Sequence, residues 1–179
     1  KFIPLMPSLG IEISPFPKKD IILSANLSRN YHLPGLNDLY YMPGGNSDLK
    51  PERGYSSDFS IQFREEIGSL VKFDSKLNLF YSLIDDWIMW QPGEYRPWTA
   101  ENIRKVASRG LEYQFSADYN AGIFRSEFFA NYSYTKATNL EDYSDANIKG
   151  KQLIYVPGNK GNAFLRLSRK SYYILYNYS

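Results

Sequence analysis

Residues 110–119 read GLEYQFSADY. Leu111, Tyr113, Phe115, Ala117 and Tyr119 alternate with Glu112, Gln114, Ser116 and Asp118, a period of two that gives a strand one apolar and one polar face. The same alternation returns in DFSIQFR (58–64), SEFFANYSYT (126–135), KLNLFYSLIDDWIMW (76–90) and IILSANLSRNY (21–31). Helical spacing never competes over comparable lengths, so the chain reads as all-β.

Composition supports a sheet with one greasy side. Sixteen Tyr, eleven Phe and three Trp make the chain unusually aromatic, yet its mean hydropathy is −0.45. Aromatic residues suit half-buried pleated surfaces, and a sheet with a single apolar face can be polar on average. There is no cysteine, which excludes a disulfide framework and a thiolate metal site. Lys and Arg are scattered and the net charge is +2, so the basic footprint of a nucleic-acid binder is missing. Nothing approaches the run of about 18 apolar residues that a membrane-spanning helix needs. No signal peptide is visible in the sequence, and its abrupt start, KFIPLMPSLGIEI, is what a piece cut from something longer would show.

The breaks between the alternating runs place about eight strands at 9–15, 20–33, 53–65, 70–90, 103–119, 123–138, 151–168 and 171–179. The seventh carries Pro157, Gly158 and Gly161 in mid-run, where a central strand has no use for them. It is either one bulged strand or two short ones. The connections PFPKK, EEIGS, NAG and RK are tight, whereas 34–52, 91–102 and 139–150 are long and rich in Gly, Pro, Asn and Asp. Short and long alternate. In an antiparallel up-and-down meander every second connection lies at the same end of the sheet, so this order puts all the long loops on one side. Transmembrane β-barrels are built in that way, and strands this long suit a tilted crossing of roughly 9–11 residues with some extension. A β-sandwich with Greek-key crossovers has no reason to sort its loops by length. The expectation is a barrel wall with Leu111, Tyr113 and Phe115 toward lipid. Gln62, Arg64, Glu112, Gln114, Asp118, Glu127 and Asn131 face a wet interior, and Trp87, Trp90, Tyr119 and Tyr134 belong to interfacial girdles.

The loop between the second and third strands carries a further signal. YHLPGLNDLYYMPGGNSDLKPERG, residues 31–54, resembles the extracellular-loop signature of TonB-dependent outer-membrane receptors. In that signature Pro-x-Leu-Asn-Asp-Leu-Tyr is followed by Gly-Asn-x-x-Leu-x-Pro-Glu. The matching residues are Pro34, Leu36, Asn37, Asp38, Leu39 and Tyr40, then Gly45, Asn46, Leu49, Pro51 and Glu52, with Tyr41 where an aromatic is usual. DDWIMWQP (85–92) and LIYVPGNKGNAFLRL (153–167) are similar to later elements of the same receptors, particularly cobalamin-receptor-like members. The resemblance implies part of a 22-stranded transmembrane β-barrel in the cell outer membrane, its lumen plugged. Residues 1–179 would be a partial barrel domain without the plug domain or the last strands. The implied partners are the lipid bilayer, the plug domain of the same receptor, the inner-membrane protein TonB, and a small-molecule ligand such as an iron chelate or a corrinoid. No cofactor is implied.

The residues offer little chemistry. His32 is the only histidine, and no partnered base or nucleophile accompanies it. Glu65–Glu66 and Asp85–Asp86 are neighbours along strands, so each pair points to opposite faces. No catalytic or metal-binding residue is assigned. Ligand contact is expected instead from Tyr40, Tyr41, Asp48, Trp90, Tyr95, Arg96 and Trp98 in the long loops, where rigid rings supply contact area at low entropic cost and charges supply strong hydrogen bonds. Packing of these rings against one another is the equal alternative. A soluble β-sandwich that stacks sugars on its aromatic loops is the rival for the whole chain.

Overall fold

The computed structural model describes residues 4–92, 97–141, 149–153 and 156–179, without the side chains of residues 103 and 104. Eight strands, β1 (Ser8–Ile13), β2 (Asp20–His32), β3 (Glu52–Ile67), β4 (Val71–Gln91), β5 (Thr99–Ala121), β6 (Phe124–Asn139), β7 (Asn159–Arg169) and β8 (Tyr172–Tyr178), form one sheet in sequence order. Every neighbouring pair is antiparallel. The described residues form one sheet with no second layer, which is not the architecture of a sandwich.

Register carries the two-faced pattern across the sheet. Leu79 is paired with Phe59 on one side and Leu111 on the other, and Leu111 in turn with Tyr134. One residue along, Asn78 is paired with Ser60 and Glu112, and Glu112 with Ser133. Because side chains alternate strictly, this register puts like with like in every row. The apolar face is left bare: Leu27, Phe59, Ile61, Leu79, Tyr81, Tyr113 and Tyr132 are all exposed. The polar face is cross-linked instead. Ser24 and Ser60 hydroxyls meet at 2.6 Å, Gln62 donates to Asp74 at 2.7 Å and Arg125 pairs with Glu127 at 2.7 Å. Gln62, Lys76, Gln114 and Asn131 form one row of it. A protein in water would show the reverse, with the apolar side covered.

The connections sort by end. Turns at 14–19, 68–70, 122–123 and 170–171 lie at one end, and the connections 33–51, 92–98 and 140–158 at the other. Gly68 and Gly122 adopt φ of 57° and 61°, the left-handed region that tight hairpin turns demand and glycine enters freely. Gly110, which opens the alternating stretch, has a different reason. A β-carbon there would run into the Tyr134 carbonyl and the Phe80 ring, which lies across it.

Three expectations are corrected. β5 begins at Thr99 rather than 103, which shortens the connection after β4 to 92–98. The seventh strand is not a run from 151: β7 starts at Asn159, and among the described residues just upstream Gln152 makes an isolated bridge to Thr138. Pro157 and Gly158 separate the two, as expected of residues that break a ladder. Trp87 does not stand in a girdle. Asp86, with φ of 57°, interrupts the alternation, and beyond it Trp87 and Met89 pack against the buried cluster Val106, Ala137 and Leu153.

Candidate functional site

At the loop end, β3 stops at Glu52 while β4 and β5 run on as a two-stranded ribbon, Trp87–Gln91 against Thr99–Ile103. A free ribbon of this kind is marginal by itself. Residues 33–51 fold against it and supply the polar contacts that a longer β3 would have made.

The sequence LNDLY forms one helical turn, α1 (Leu36–Tyr40). Asp38 explains it. One carboxylate oxygen accepts the Gly35 amide at 2.9 Å, satisfying a donor that the helix start would leave orphaned, and the other accepts the Trp90 indole N–H at 2.9 Å. A single side chain therefore caps the turn and ties it to β4. Tyr41 follows and packs edge-on against Trp90, ring centroids 5.9 Å apart at 79°. Trp90 is thus engaged by the loop rather than standing in an interfacial girdle.

The second half of the motif, Gly-Gly-Asn-Ser-Asp-Leu-Lys, runs along β5. Gly44 accepts from the Ala100 amide at 2.9 Å, and the Asn46 side chain donates to the Ala100 carbonyl at 3.3 Å while accepting the Asp48 amide at 2.9 Å. Ala100 and Leu49 are buried by this contact. Gly44 has no room for a side chain, since a β-carbon would meet the Trp98 carbonyl and the Trp90 ring. Asn102 then clamps the chain: it accepts the Lys50 amide at 2.8 Å and donates to the carbonyls of Lys50 at 3.0 Å and Asp86 at 2.7 Å. Glu52 closes the brace, one oxygen accepting the Ile88 amide at 2.8 Å and the other 3.3 Å from His32 Nδ1.

Of the residues expected to meet a ligand, the structure brings Tyr41 and Trp90 together, with Trp98 beside them through Gly44. Tyr40, Tyr41 and Trp98 remain exposed. Asp48 sits on the exposed rim, its amide bound by Asn46. Tyr95 and Arg96 lie outside the described residues. Sequence reasoning missed the clamp. Asp38, Asn46 and Glu52 were visible as motif letters, but their structural use was not, and Asn102 fell at the end of the stretch read as a loop, 91–102, with no local signal.

One sheet, bare on its apolar side and linked on its polar side, with tight turns at one end and braced loops at the other, is the wall of an up-and-down β-barrel. A family model for the TonB dependent receptor-like β-barrel matches residues 5–178, and the chain belongs to that family. It is 28% identical over 141 residues to the vitamin B12 transporter BtuB of Photobacterium profundum, covering 75% of this chain and 20% of that protein. The vitamin B12 transporter BtuB of Vibrio vulnificus is 32% identical over 108 residues, 60% of this chain and 16% of its own. The chain therefore spans a fifth or less of the length of these relatives. Among solved structures, the copper transporter OprC superposes with a TM-score of 0.65 over 92% of this chain and 24% of its own at 16% identity, a likeness of fold alone.

Proposed function

We propose that this chain is part of the wall of an outer-membrane receptor that takes up a bulky, scarce nutrient, an iron chelate, a corrinoid or a similar compound. A plug domain of the same protein and the inner-membrane protein TonB would gate and energise passage. The observation that carries this reading is the asymmetry of the sheet: a bare apolar flank suited to lipid, and braced aromatic loops gathered at one end only. β1 and β8 each expose an unpaired edge. Unpaired backbone groups cost several kcal/mol each in hydrocarbon, so the sheet suits a membrane only within a closed wall. The vitamin B12 transporters among its relatives favour a corrinoid.

In this reading Tyr40, Tyr41 and Trp98 offer their faces to the ligand, Trp90 supports Tyr41 from behind, and Asp48, Tyr95 and Arg96 add polar contacts. The role is capture and passage rather than catalysis. Titration of the intact receptor with cyanocobalamin, and in parallel with a ferric hydroxamate chelate, tests it. Saturable binding of one of them is expected, weakened about tenfold or more, equivalent to about 1.4 kcal/mol, by replacing Tyr40, Tyr41 and Trp98 with Ala. Binding of neither compound, or equal binding by the replaced receptor, would overturn the proposal.

A further inference from the structure

At the short-turn end of the apolar face, far along the strands from the braced loops, β5 to β8 form a groove of about 560 Å³. Two adjacent rows build it. The row nearer the turns runs Phe124, Arg169, Tyr172, and the next runs Tyr119, Ser126, Leu167, Ile174. Tyr119, Phe124, Leu167, Tyr172 and Ile174 are all exposed. Arg169 is the odd member, a cation on an apolar surface. Its guanidinium lies 5.3 Å from the centroid of the Phe124 ring, and among the described residues it forms no ion pair, whereas Arg166, earlier in the same strand and on the opposite, polar face, is paired with Glu127.

We infer that this groove holds one phospholipid with an anionic headgroup, its phosphate on Arg169 and an acyl chain along Tyr119, Leu167 and Ile174. The inference rests on the proposal that the apolar face meets a bilayer. Charge and shape select the occupant. A guanidinium resting on an aromatic face keeps its N–H edge free, and that edge matches phosphate oxygens in a two-pronged hydrogen bond. Aromatic rings beside basic side chains mark the depth at which headgroups lie, and the stem of Arg169 is long enough to lift its charge toward that level. The order of the rows follows a lipid molecule: the cation stands nearest the turns, and one row deeper the surface is apolar apart from Ser126. A soluble anion would gain nothing from the second row. A peptide segment would find no backbone edge over β6 and β7, which are paired on both sides, and in a closed wall the free edge of β8 is taken by the next strand.

The test places the intact receptor in nanodiscs of phosphatidylcholine containing a minor fraction of phosphatidylglycerol, with either lipid carrying a photoactivatable acyl chain, and maps the adducts. Peptides spanning 119–126 and 165–174 should carry an excess of phosphatidylglycerol adducts over phosphatidylcholine. Arg169→Gln should lower that excess about fivefold, the effect of one basic residue near an anionic surface, while Arg169→Lys should keep most of it. Excess glycerol 3-phosphate should leave it unchanged. No headgroup preference in the native receptor, an excess indifferent to Arg169→Gln, or one abolished by glycerol 3-phosphate would each overturn the inference. Adducts of both lipids around Leu79 report separately on the underlying reading. If they appear without any preference at the groove, only the lipid site fails, and if they are missing, the membrane-facing wall fails with it.

Discussion

In the wall, Leu79 sits between Phe59 and Leu111 and needs only to be apolar. At the brace, Asn102 spends its whole side chain on three backbone groups, and neither a smaller nor an apolar residue could replace it. The wall is held by main-chain ladders, so its side chains are specified as a class, by face. The brace has lost the ladder, because β3 ends before β4 and β5 do, and individual side chains stand in for the absent strand. The first kind of structure tolerates exchange along a face but needs its neighbouring strands. The second is local, and tolerates very little.

The largest effect should come from depriving the wall of neighbours. Residues 1–179 refolded alone in buffer would leave two strand edges and a bare apolar face unmatched. A penalty on the order of tens of kcal/mol in hydrocarbon exceeds an ordinary domain stability of roughly 5–15 kcal/mol, and in water the same bare surface drives association. The segment should elute from size exclusion as aggregate or require detergent, and a monodisperse folded monomer would contradict the account of the wall. Next comes face specificity. In the intact receptor refolded into lipid vesicles, Leu79→Arg should lower stability to urea by about 2–4 kcal/mol, while Asn78→Arg, one residue away on the polar face, should cost under about 1 kcal/mol. Equal effects would erase the distinction between the faces.

The brace should respond locally. Asn102→Ala, which strands two carbonyls and an amide, should cost the ribbon about 2 kcal/mol. Amides of residues 86–91 and 99–102 should then exchange about 30-fold faster, with the wall at 111–119 unchanged. If protection falls uniformly across both, the brace is not the separate unit described. The smallest effect is Trp90→Phe, which keeps the ring against Tyr41 but removes the donor to Asp38. About 1 kcal/mol is expected, read as roughly fivefold faster exchange at α1.

Much of the wall was legible without coordinates. The alternation in GLEYQFSADY and its companions set the strands, the two faces and the sorting of loops, and six of the eight strands begin within two residues of the expected position. The exceptions have local causes. β5 starts early because residues 99–102 have no alternating apolar pattern and are held by the loop rather than by a face. β7 starts late because Pro157 and Gly158 divide it from the Gln152 bridge. At the candidate site, the motif letters were readable but their work was not. Asp38 looked like a signature residue, and only the fold brings Trp90 from fifty-two positions away to its second oxygen.

Sequence by itself determined what repeats: strand period, faces, and which connections are tight, since each depends on a residue and its immediate neighbours. The tertiary structure alone decided how the 33–51 loop is held, because a hydrogen bond from Asn102 to Lys50 or from Trp90 to Asp38 exists only once register has brought distant strands side by side. Periodicity is a property of the chain, whereas a partner is a property of the fold.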